Sequence, residues 1–585
     1  MTTAVQQPHI FLPRYVETDK GYALYFGRVQ VSQSTFMLCA AVLIGIGGGY
    51  GAVIFRHMID GAGYLAFDLI GGRLLGHLGF LAIVIVPIIG GIATSAIVAR
   101  FASEARGHGV PEVMEAVALR AGRMRPRIIA VKSIASAICI GFGGSCGREG
   151  PIVQIGSTIG SVLGQLGRVP APIARTLVAC GAASGISATF NAPIGGVFFA
   201  SEVILGEFAP RSFAAIVIAS VVSAVIGRAY FGNHPSFTAA AFNLVSPAEL
   251  LFYAVLGVIC AFWAAGFVKL LYAVEDRFDA LNVPGWLKAT IGFGTLGLIG
   301  LWKPQIFGVG YGAIDQVLRS HVPPSQALLL SVLKPIATAL TLGSGGSGGV
   351  FSPSLFTGAM IGDAFGRVVH MFAPTWTATG AAYGLVGMAA VFAAAAEAPI
   401  TSIMIVFEMS NDYLIVLPLM VATVIATILG RWLIRGTVYE LKLIRRGINW
   451  AAVRHPRLLT RRNVASIKRE LPPVGYAGEP LSQIAQRIST AAEGAIPVLR
   501  DGHCIGIVPF PDFIEHLRSE PNASIDTIAR TTETLVPDDS FERAATLLAD
   551  PGIAALPVAD PATGKFIGMI TRRDVLEAYR SAVEL

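Results

Sequence analysis

Three short segments place glycines just before a proline that opens an apolar helix. They are Gly107–Pro111 (GHGVP), Gly147–Pro151 (GREGP) and Gly348–Pro353 (GGVFSP). Proline fits the first turn of a helix, and glycine lets backbone approach a ligand closely. The free N–H groups at such a helix start carry partial positive charge, so they hold an anion without a full countercharge. Conduction needs sites that bind the ion only weakly, as such N–H groups do. The three segments together therefore predict an anion pathway, although any one of them alone is an ordinary helix start.

Glu149 is the acid within these segments. A carboxylate can occupy an anion site while charged and vacate it when protonated, and an ionisable residue in a membrane segment is a functional candidate by default. Glu149 is therefore predicted to be a gate. The alternative is a structural ion pair, with Arg148 as its partner or as a source of local positive potential.

The elements that position these segments are membrane helices. Of the 585 residues, 54% are hydrophobic and 14% are charged, whereas soluble domains carry about 25% charged residues. Several runs have the length of about 20 apolar residues that crosses a bilayer; they are Phe36–Ile54, Leu78–Ala99 and the regions near 250–268 and 414–430. Glycine and proline interrupt many of these apolar runs before a full span is complete. Transporters use such helix breaks to build ion sites; the alternative is that glycine merely allows helices to pack closely.

Residues 442–463 contain seven Lys or Arg and no acid, which predicts a cytoplasmic linker by the positive-inside rule. We predict a membrane domain over 1–441, with halves at about 30–235 and 248–441, and a soluble tail over 464–585. The first 35 residues resemble no cleavable signal peptide. The six cysteines show no metal or disulfide spacing and are expected to be small buried residues. The net charge of +7 is modest, so nucleic acid is not an expected partner.

The membrane part contains an internal repeat. Seven residues of the segment from Gly144 match the segment from Gly346 at an offset of 202. Ala192-Pro193 precedes Glu202 as Ala398-Pro399 precedes Glu408, at an offset of 206. The predicted fold is a polytopic α-helical membrane protein with an inverted repeat.

The tail has its own repeat. The segments from Gly494 and from Ala554 each read as strand, turn, strand and helix. This pattern predicts two similar α/β modules, at about 464–525 and 526–585.

GHGVP, GREGP and GGVFSP, in this order, resemble the three selectivity motifs of the CLC family of chloride channels and chloride/proton antiporters. Tyr439 resembles the inner-gate tyrosine of that family, and the tail resembles its CBS pair. The resemblance implies that Val350, Phe351 and Tyr439 hold a central anion, and that Glu149 is the external gate of an outer site. The anion-contacting set it implies is His108, Gly109, Arg148, Gly150, Val350, Phe351, Ser352 and Tyr439.

Two residues depart from the family pattern. His108 stands where the family usually has serine; its ring either donates to the anion and makes conduction pH-sensitive, or turns away from a pathway lined by backbone. Val203 falls where the antiporters keep a proton-transfer glutamate, and valine cannot relay a proton. A shift of one residue in the alignment would instead give that role to Glu202.

The CBS pair of the family usually binds adenine nucleotide through a hydroxyl and an Asp. The second module keeps Thr571 and Asp574, whereas the first has Pro509 in place of the hydroxyl and keeps Asp512. Nucleotide binding and dimer bracing both remain open for the tail, and no other cofactor is expected.

The predicted function is therefore a chloride channel that conducts passively, gated by Glu149 and by pH and voltage, with chloride/proton antiport of the same fold as the alternative. An enzyme is not expected: an intramembrane metalloprotease would need the motif His-Glu-x-x-His, and the sequence does not contain it. A cation transporter regulated by CBS modules would need rings of carboxylates along its pore. The three helix starts offer N–H groups and only Glu149 as an acid, so this class is not favoured. The resemblance implies a homodimer in the bacterial inner membrane, with a cytoplasmic tail.

Overall fold

The chain divides between Gly447 and Ile448 into two compact units. The first is helical because apolar segments in a membrane must satisfy their own backbone hydrogen bonds. The computed structural model describes residues 14–18, 21–26, 29–73, 78–233, 237, 244–448, 463–466, 473–488, 494–548, 550 and 552–583. Most of the predicted linker, 449–462, lies outside the described residues.

The first unit opens with a three-stranded antiparallel sheet, which no sequence pattern had indicated. Its strands are β1 (Arg14–Thr18), β2 (Gly21–Phe26) and β3 (Val29–Ser32). The helices of the first half follow: α1 (Gln33–Gly63), α2 (Ala82–Phe101), α3 (Val110–Leu119), α4 (Arg127–Gly141), α5 (Glu149–Leu166), α6 (Ala171–Phe190), α7 (Pro193–Phe199) and α8 (Pro210–Phe231).

The second half has the same order of helices. They are α9 (Glu249–Ala280), α10 (Gly285–Trp302), α11 (Tyr311–Leu318), α12 (Pro324–Gly343), α13 (Phe351–Phe372), α14 (Gly380–Ala396), α15 (Pro399–Ser410) and α16 (Val416–Leu433), with α17 (Glu440–Arg445) after them. Each helix of the first half has a counterpart eight places later, so the predicted repeat is confirmed along the whole unit.

Seven helices of the described chain are long and apolar enough to cross a membrane, by length and composition. They include the four runs that the sequence predicted. The helix pairs that pack most extensively are α13 with α14 and α5 with α6, and every residue of α14 is buried. The core of the unit therefore lies around the helices that carry the GREGP and GGVFSP motifs.

The second unit is α/β, as predicted. Its elements are β4 (Gly475–Tyr476), α18 (Leu481–Arg487), β5 (Ala495–Arg500), β6 (His503–Pro509), α19 (Phe510–Ser519), α20 (Phe541–Leu548), β7 (Ala555–Ala559), β8 (Phe566–Thr571) and α21 (Arg572–Val583). The hairpins β5–β6 and β7–β8 are both antiparallel and each precedes a helix. The strand–turn–strand–helix repeat of the tail is thus confirmed.

Candidate anion site

The three glycine motifs meet through their backbones. The N–H of Gly147 donates to the carbonyl of Gly349 at 2.7 Å, and the N–H of Gly349 donates back to Gly147 at 2.6 Å. Gly107 likewise accepts from Gly348 and donates to the carbonyl of Gly346, both at 3.2 Å. Segments more than 200 residues apart therefore form one site, as the motif pattern predicted.

Glycine is required where the helix starts touch. A Cβ atom on Gly150 would lie 1.9 Å from the carbonyl oxygen of His108, and one on Gly109 would lie 2.6 Å from the carbonyl oxygen of Gly150. Gly109 also has φ +86°, a conformation that side chains disfavour. The starts of α3 and α5 can approach each other this closely only without side chains at these two positions.

Glu149 is the first residue of α5, and its carboxylate is buried against the second half. Oε1 accepts hydrogen bonds from the hydroxyls of Tyr311 and Ser352, each at 2.5 Å, and Oε2 faces the N–H of Ser352 at 3.4 Å. Ser352 is the second residue of α13. The carboxylate thus occupies the helix start at which the motifs predict an anion.

Arg148 does not pair with this carboxylate within the described part of the chain. Its guanidinium carbon lies 5.0 Å from the centroid of the Tyr311 ring, and its Nε is buried without a hydrogen-bond partner among the described residues. Of the two alternatives for Arg148, the geometry favours a source of positive potential beside the site over an ion pair.

The predicted central residues are all buried. Val350 and Phe351 form the start of α13, and the Phe351 ring packs on Phe392 at 4.1 Å between centroids. Tyr439, at the start of α17, is held through its neighbour Val438, whose carbonyl accepts from the Tyr272 hydroxyl at 2.6 Å. Helix starts and an aromatic hydroxyl are thus present in the protein interior.

His108 lies in the loop before α3 and is 2% exposed. Its ring centroid lies 6.2 Å from that of Tyr272, and its Nδ1 is buried with no hydrogen-bond partner in the described chain. The backbone of His108 contacts Gly150, as the glycine geometry requires. The histidine is therefore a buried polar residue next to the start of α5.

Val203 is buried in a π-helical turn, Ala200–Leu205, that continues α7. Its neighbour Glu202 accepts from the N–H groups of Ile400 and Thr401, at 3.3 and 2.8 Å, and from the Thr401 hydroxyl at 2.6 Å. These are the free N–H groups at the start of α15. Glu202 is thus engaged as a helix cap, which argues against the shifted alignment that makes it the proton relay.

The repeat supplies the mirror-image contact. Glu408 accepts from the N–H groups of Ile194 and Gly195 at the start of α7, at 3.0 and 2.7 Å. Each half therefore caps a helix of the other half, which explains why both sequences keep a glutamate nine residues after the proline.

Sequence reasoning missed Tyr311 and two buried lysines. Lys132 donates to the carbonyls of Ala105 and Gly107 at 2.9 and 2.8 Å, and Lys334 donates to those of Ile306 and Gly308 at 2.9 and 2.7 Å. Both lysines tie down the loop that leads into a pathway helix, α3 or α11.

A signal for these residues was present in the sequence. Gly107 and Gly109 match Gly308 and Gly310 at an offset of 201, and the two lysines match at 202. Extending the repeat towards the N-terminus by one motif makes Tyr311 the equivalent of Val110, so Tyr311 is expected at the start of a helix that points to the site.

No group of three or more His, Cys, Asp or Glu able to hold a metal occurs among the described residues. Of the cysteines, Cys139, Cys146, Cys180 and Cys260 are buried, whereas Cys39 is exposed and Cys504 is half-buried. The expectation of small buried cysteines thus fits four of the six.

Asp512 and Thr571, two of the three candidate nucleotide residues of the tail, border a cavity of about 790 Å³, which Pro509 and Arg530 also line. Asp512 is paired with Arg530 at 2.5 Å. Asp574 accepts from the N–H and the hydroxyl of Thr571 at 2.8 and 2.6 Å. Both aspartates therefore already have partners within the tail.

Comparison with known proteins agrees with this geometry. The model of the voltage gated chloride channel family matches residues 90–431, and the CBS domain model matches residues 526–581. The putative chloride channel protein ClcB-like of Ralstonia nicotianae is 32% identical over 418 residues, which cover 70% of this chain and 97% of the relative. The H(+)/Cl(-) exchange transporter ClcA of Vibrio campbellii is 34% identical over 357 residues, which cover 60% and 76%.

Solved structures show the same fold. A slow cyanobacterial Cl-/H+ antiporter matches with a TM-score of 0.66 at 24% identity, over 71% of this chain and 98% of that one. A eukaryotic CLC transporter matches with a TM-score of 0.64 at 19% identity, over 93% and 99%. The predicted fold, an inverted-repeat membrane unit with a CBS tail, is confirmed.

Proposed function

The chain belongs to the voltage gated chloride channel family, and on that premise we propose that it exchanges chloride for protons across the membrane. The family transports chloride. Among the relatives of this chain, the ClcA proteins of Vibrio campbellii and Cronobacter sakazakii, 34% and 31% identical, are H(+)/Cl(-) exchange transporters. These relatives support the antiport alternative over passive conduction.

The observation that carries the proposal is the position of Glu149. Its carboxylate occupies the start of α13, where the Ser352 N–H and two hydroxyls face it. An anion needs the same donors. A proton on Glu149 removes the charge that competes with the anion, so proton binding and anion binding become coupled at one place.

We assign the anion sites on the same basis. The backbone at Val350 and Phe351 and the Tyr439 hydroxyl hold the inner anion. The outer anion takes the place of the Glu149 carboxylate between Arg148, Gly150 and Ser352. His108 and Gly109 complete the wall of the pathway on the side of α3.

Passive conduction is the second candidate, and Val203 favours it. This residue is apolar and buried where antiporters of the family keep a proton-transfer glutamate. The Ralstonia relative is a putative chloride channel protein.

Flux measurements in sealed vesicles separate the two candidates. An imposed chloride gradient should drive protons against their own gradient, and the reversal potential should deviate from that of chloride alone. Chloride flux without proton movement, with a reversal potential that follows chloride, would assign passive conduction instead.

We further propose that the chain divides as 1–441, 442–463 and 464–585, with the basic linker and the CBS tail on the cytoplasmic side. The seven cations of the linker support this orientation. A homodimer in the bacterial inner membrane, as the family resemblance implies, completes the proposal.

A further inference from the structure

Proton exchange requires a titratable group on the internal side of Glu149, and the usual position offers none. Val203 is apolar, and the carboxylate of Glu202 caps α15. This inference rests on the proposed exchange function and concerns where its protons enter.

A cavity of about 580 Å³ lies between α3, α5 and the end of α17. Glu104, Glu112, Glu115, Gln154 and Arg446 are among the residues that line it. Arg446 immediately follows α17, the helix from which the chain continues to the CBS tail. The cavity therefore opens on the side that the proposed orientation makes cytoplasmic.

Glu112 is the acid of α3 nearest to the GHGVP motif. Its side chain is 8% exposed, and Oε1 accepts from Nη2 of Arg446 at 2.7 Å. Oε2 is buried and has no hydrogen-bond partner among the described residues. A buried oxygen without a donor is costly, and a proton on it would satisfy the group as a donor to water in the cavity.

Glu115, one turn further along α3, provides a contrast within the same cavity. Its Oε1 pairs with Arg120, and its Oε2 accepts from Nη1 of Arg446 at 2.9 Å. Both oxygens of this carboxylate therefore pair with a guanidinium group. Lys132 of α4 also acts on Glu112 electrostatically, but only Arg446 bonds to it in the described chain.

The inner end of the cavity reaches the gate helix. Gln154 lies on α5 five residues after Glu149, about 7.5 Å along the helix axis, and its buried Oε1 has no partner within the described residues. His108, whose Nδ1 is equally without a partner there, contacts Gly150 through its backbone. The cavity thus reaches α5 at Gln154, one turn and a half beyond Glu149.

We propose that Glu112 is the internal proton acceptor of exchange. Water in the cavity gives a proton to Oε2 of Glu112. The O–H bond of Glu112 breaks again when the proton moves on towards the carboxylate of Glu149, which becomes neutral and leaves the anion position. Glu112 thereby replaces the acid that is absent at Val203.

The test compares proton and chloride flux of full-length wild type, Glu112→Gln and Glu115→Gln in vesicles. Glutamine at 112 still accepts from Arg446 but cannot carry a proton. We expect E112Q to keep its chloride flux and to lower proton flux about 100-fold, as loss of a proton-transfer group does. E115Q, the matched control, should exchange like wild type.

The outcomes are distinct. Wild type that moves no protons would overturn the proposed function itself. If wild type exchanges and E112Q exchanges equally well, only this inference is overturned. The same holds if Glu104→Gln, and not E112Q, loses proton flux. If E112Q does not reconstitute, Glu112→His replaces it: the midpoint of proton flux should move to higher pH, because an imidazole takes up a proton at higher pH than a carboxylate. An unchanged midpoint would reject Glu112.

Discussion

The hydroxyl of Tyr311 donates a hydrogen bond of 2.5 Å to Oε1 of Glu149, so a residue of the second repeat half holds the carboxylate of the first. The same hydroxyl lies 3.0 Å from that of Ser352. The buried position of this carboxylate therefore depends on a side chain that lies outside the three glycine motifs.

Replacing Tyr311 with Phe removes this donor and leaves the ring. A hydrogen bond to a charged group contributes about 1.5–3 kcal/mol, and every 1.4 kcal/mol is about tenfold. We expect the open fraction at neutral pH to rise about ten- to hundredfold, seen as faster chloride efflux that acid stimulates less. Tyr383→Phe, a buried tyrosine stacked on Tyr253 at 4.3 Å, is the control and should match wild type. Unchanged efflux in Y311F would exclude Tyr311 as a gate contact.

Replacing Glu149 with Gln mimics the protonated gate, because an amide cannot compete with an anion as a charge. Chloride flux in Glu149→Gln should be high and nearly independent of pH, whereas wild-type flux should rise as pH falls and Glu149 takes up a proton. Flux through reconstituted vesicles between pH 4.5 and 7.5 checks this. A variant that keeps the wild-type pH profile would show that the gate is elsewhere.

Glu202 and Glu408 should behave as a structural pair. Glu202→Gln weakens the cap on α15, and Glu408→Gln weakens the cap on α7, each by about 1–3 kcal/mol. We expect both variants to unfold at lower temperature in detergent while they keep the wild-type ratio of protons to chloride. Loss of proton movement in E202Q alone, with E408Q normal, would assign Glu202 to proton transfer.

The CBS tail should bind ATP weakly or not at all. Pro509 offers neither hydroxyl nor N–H, Asp512 is paired with Arg530, and Thr571 is bonded to Asp574. A calorimetric titration of the full-length protein with ATP should show no saturable binding in the micromolar range. A micromolar isotherm that disappears in Asp574→Ala would contradict this expectation.

Removal of the tail should leave ion preference intact. The anion site is built from residues before Gly447, so a chain truncated before Val464 should keep the chloride selectivity of the full-length protein even if less of it accumulates. Relative permeability to chloride and nitrate, measured on both proteins, tests this, and a changed order of anions would place part of the pathway in the tail.

Much of this protein was predictable because its determinants are local. Runs of apolar residues, prolines at helix starts and the offset of 202 residues between Gly144 and Gly346 act within single segments or between copies of one pattern. They predicted the helices, the repeat, the two α/β modules of the tail and the convergence of the three motifs, and they singled out Glu149.

Only the tertiary structure decided which side chains meet. Tyr311 reaches Glu149 across 162 residues, and Glu202 caps a helix that begins with Pro399 rather than one near it in sequence. A carboxylate next to a helix break in sequence can serve as a gate, a proton relay or a cap. Which role it takes depends on the donors that the opposite half presents, and the packing of two halves against each other leaves no signature in the periodicity of either one.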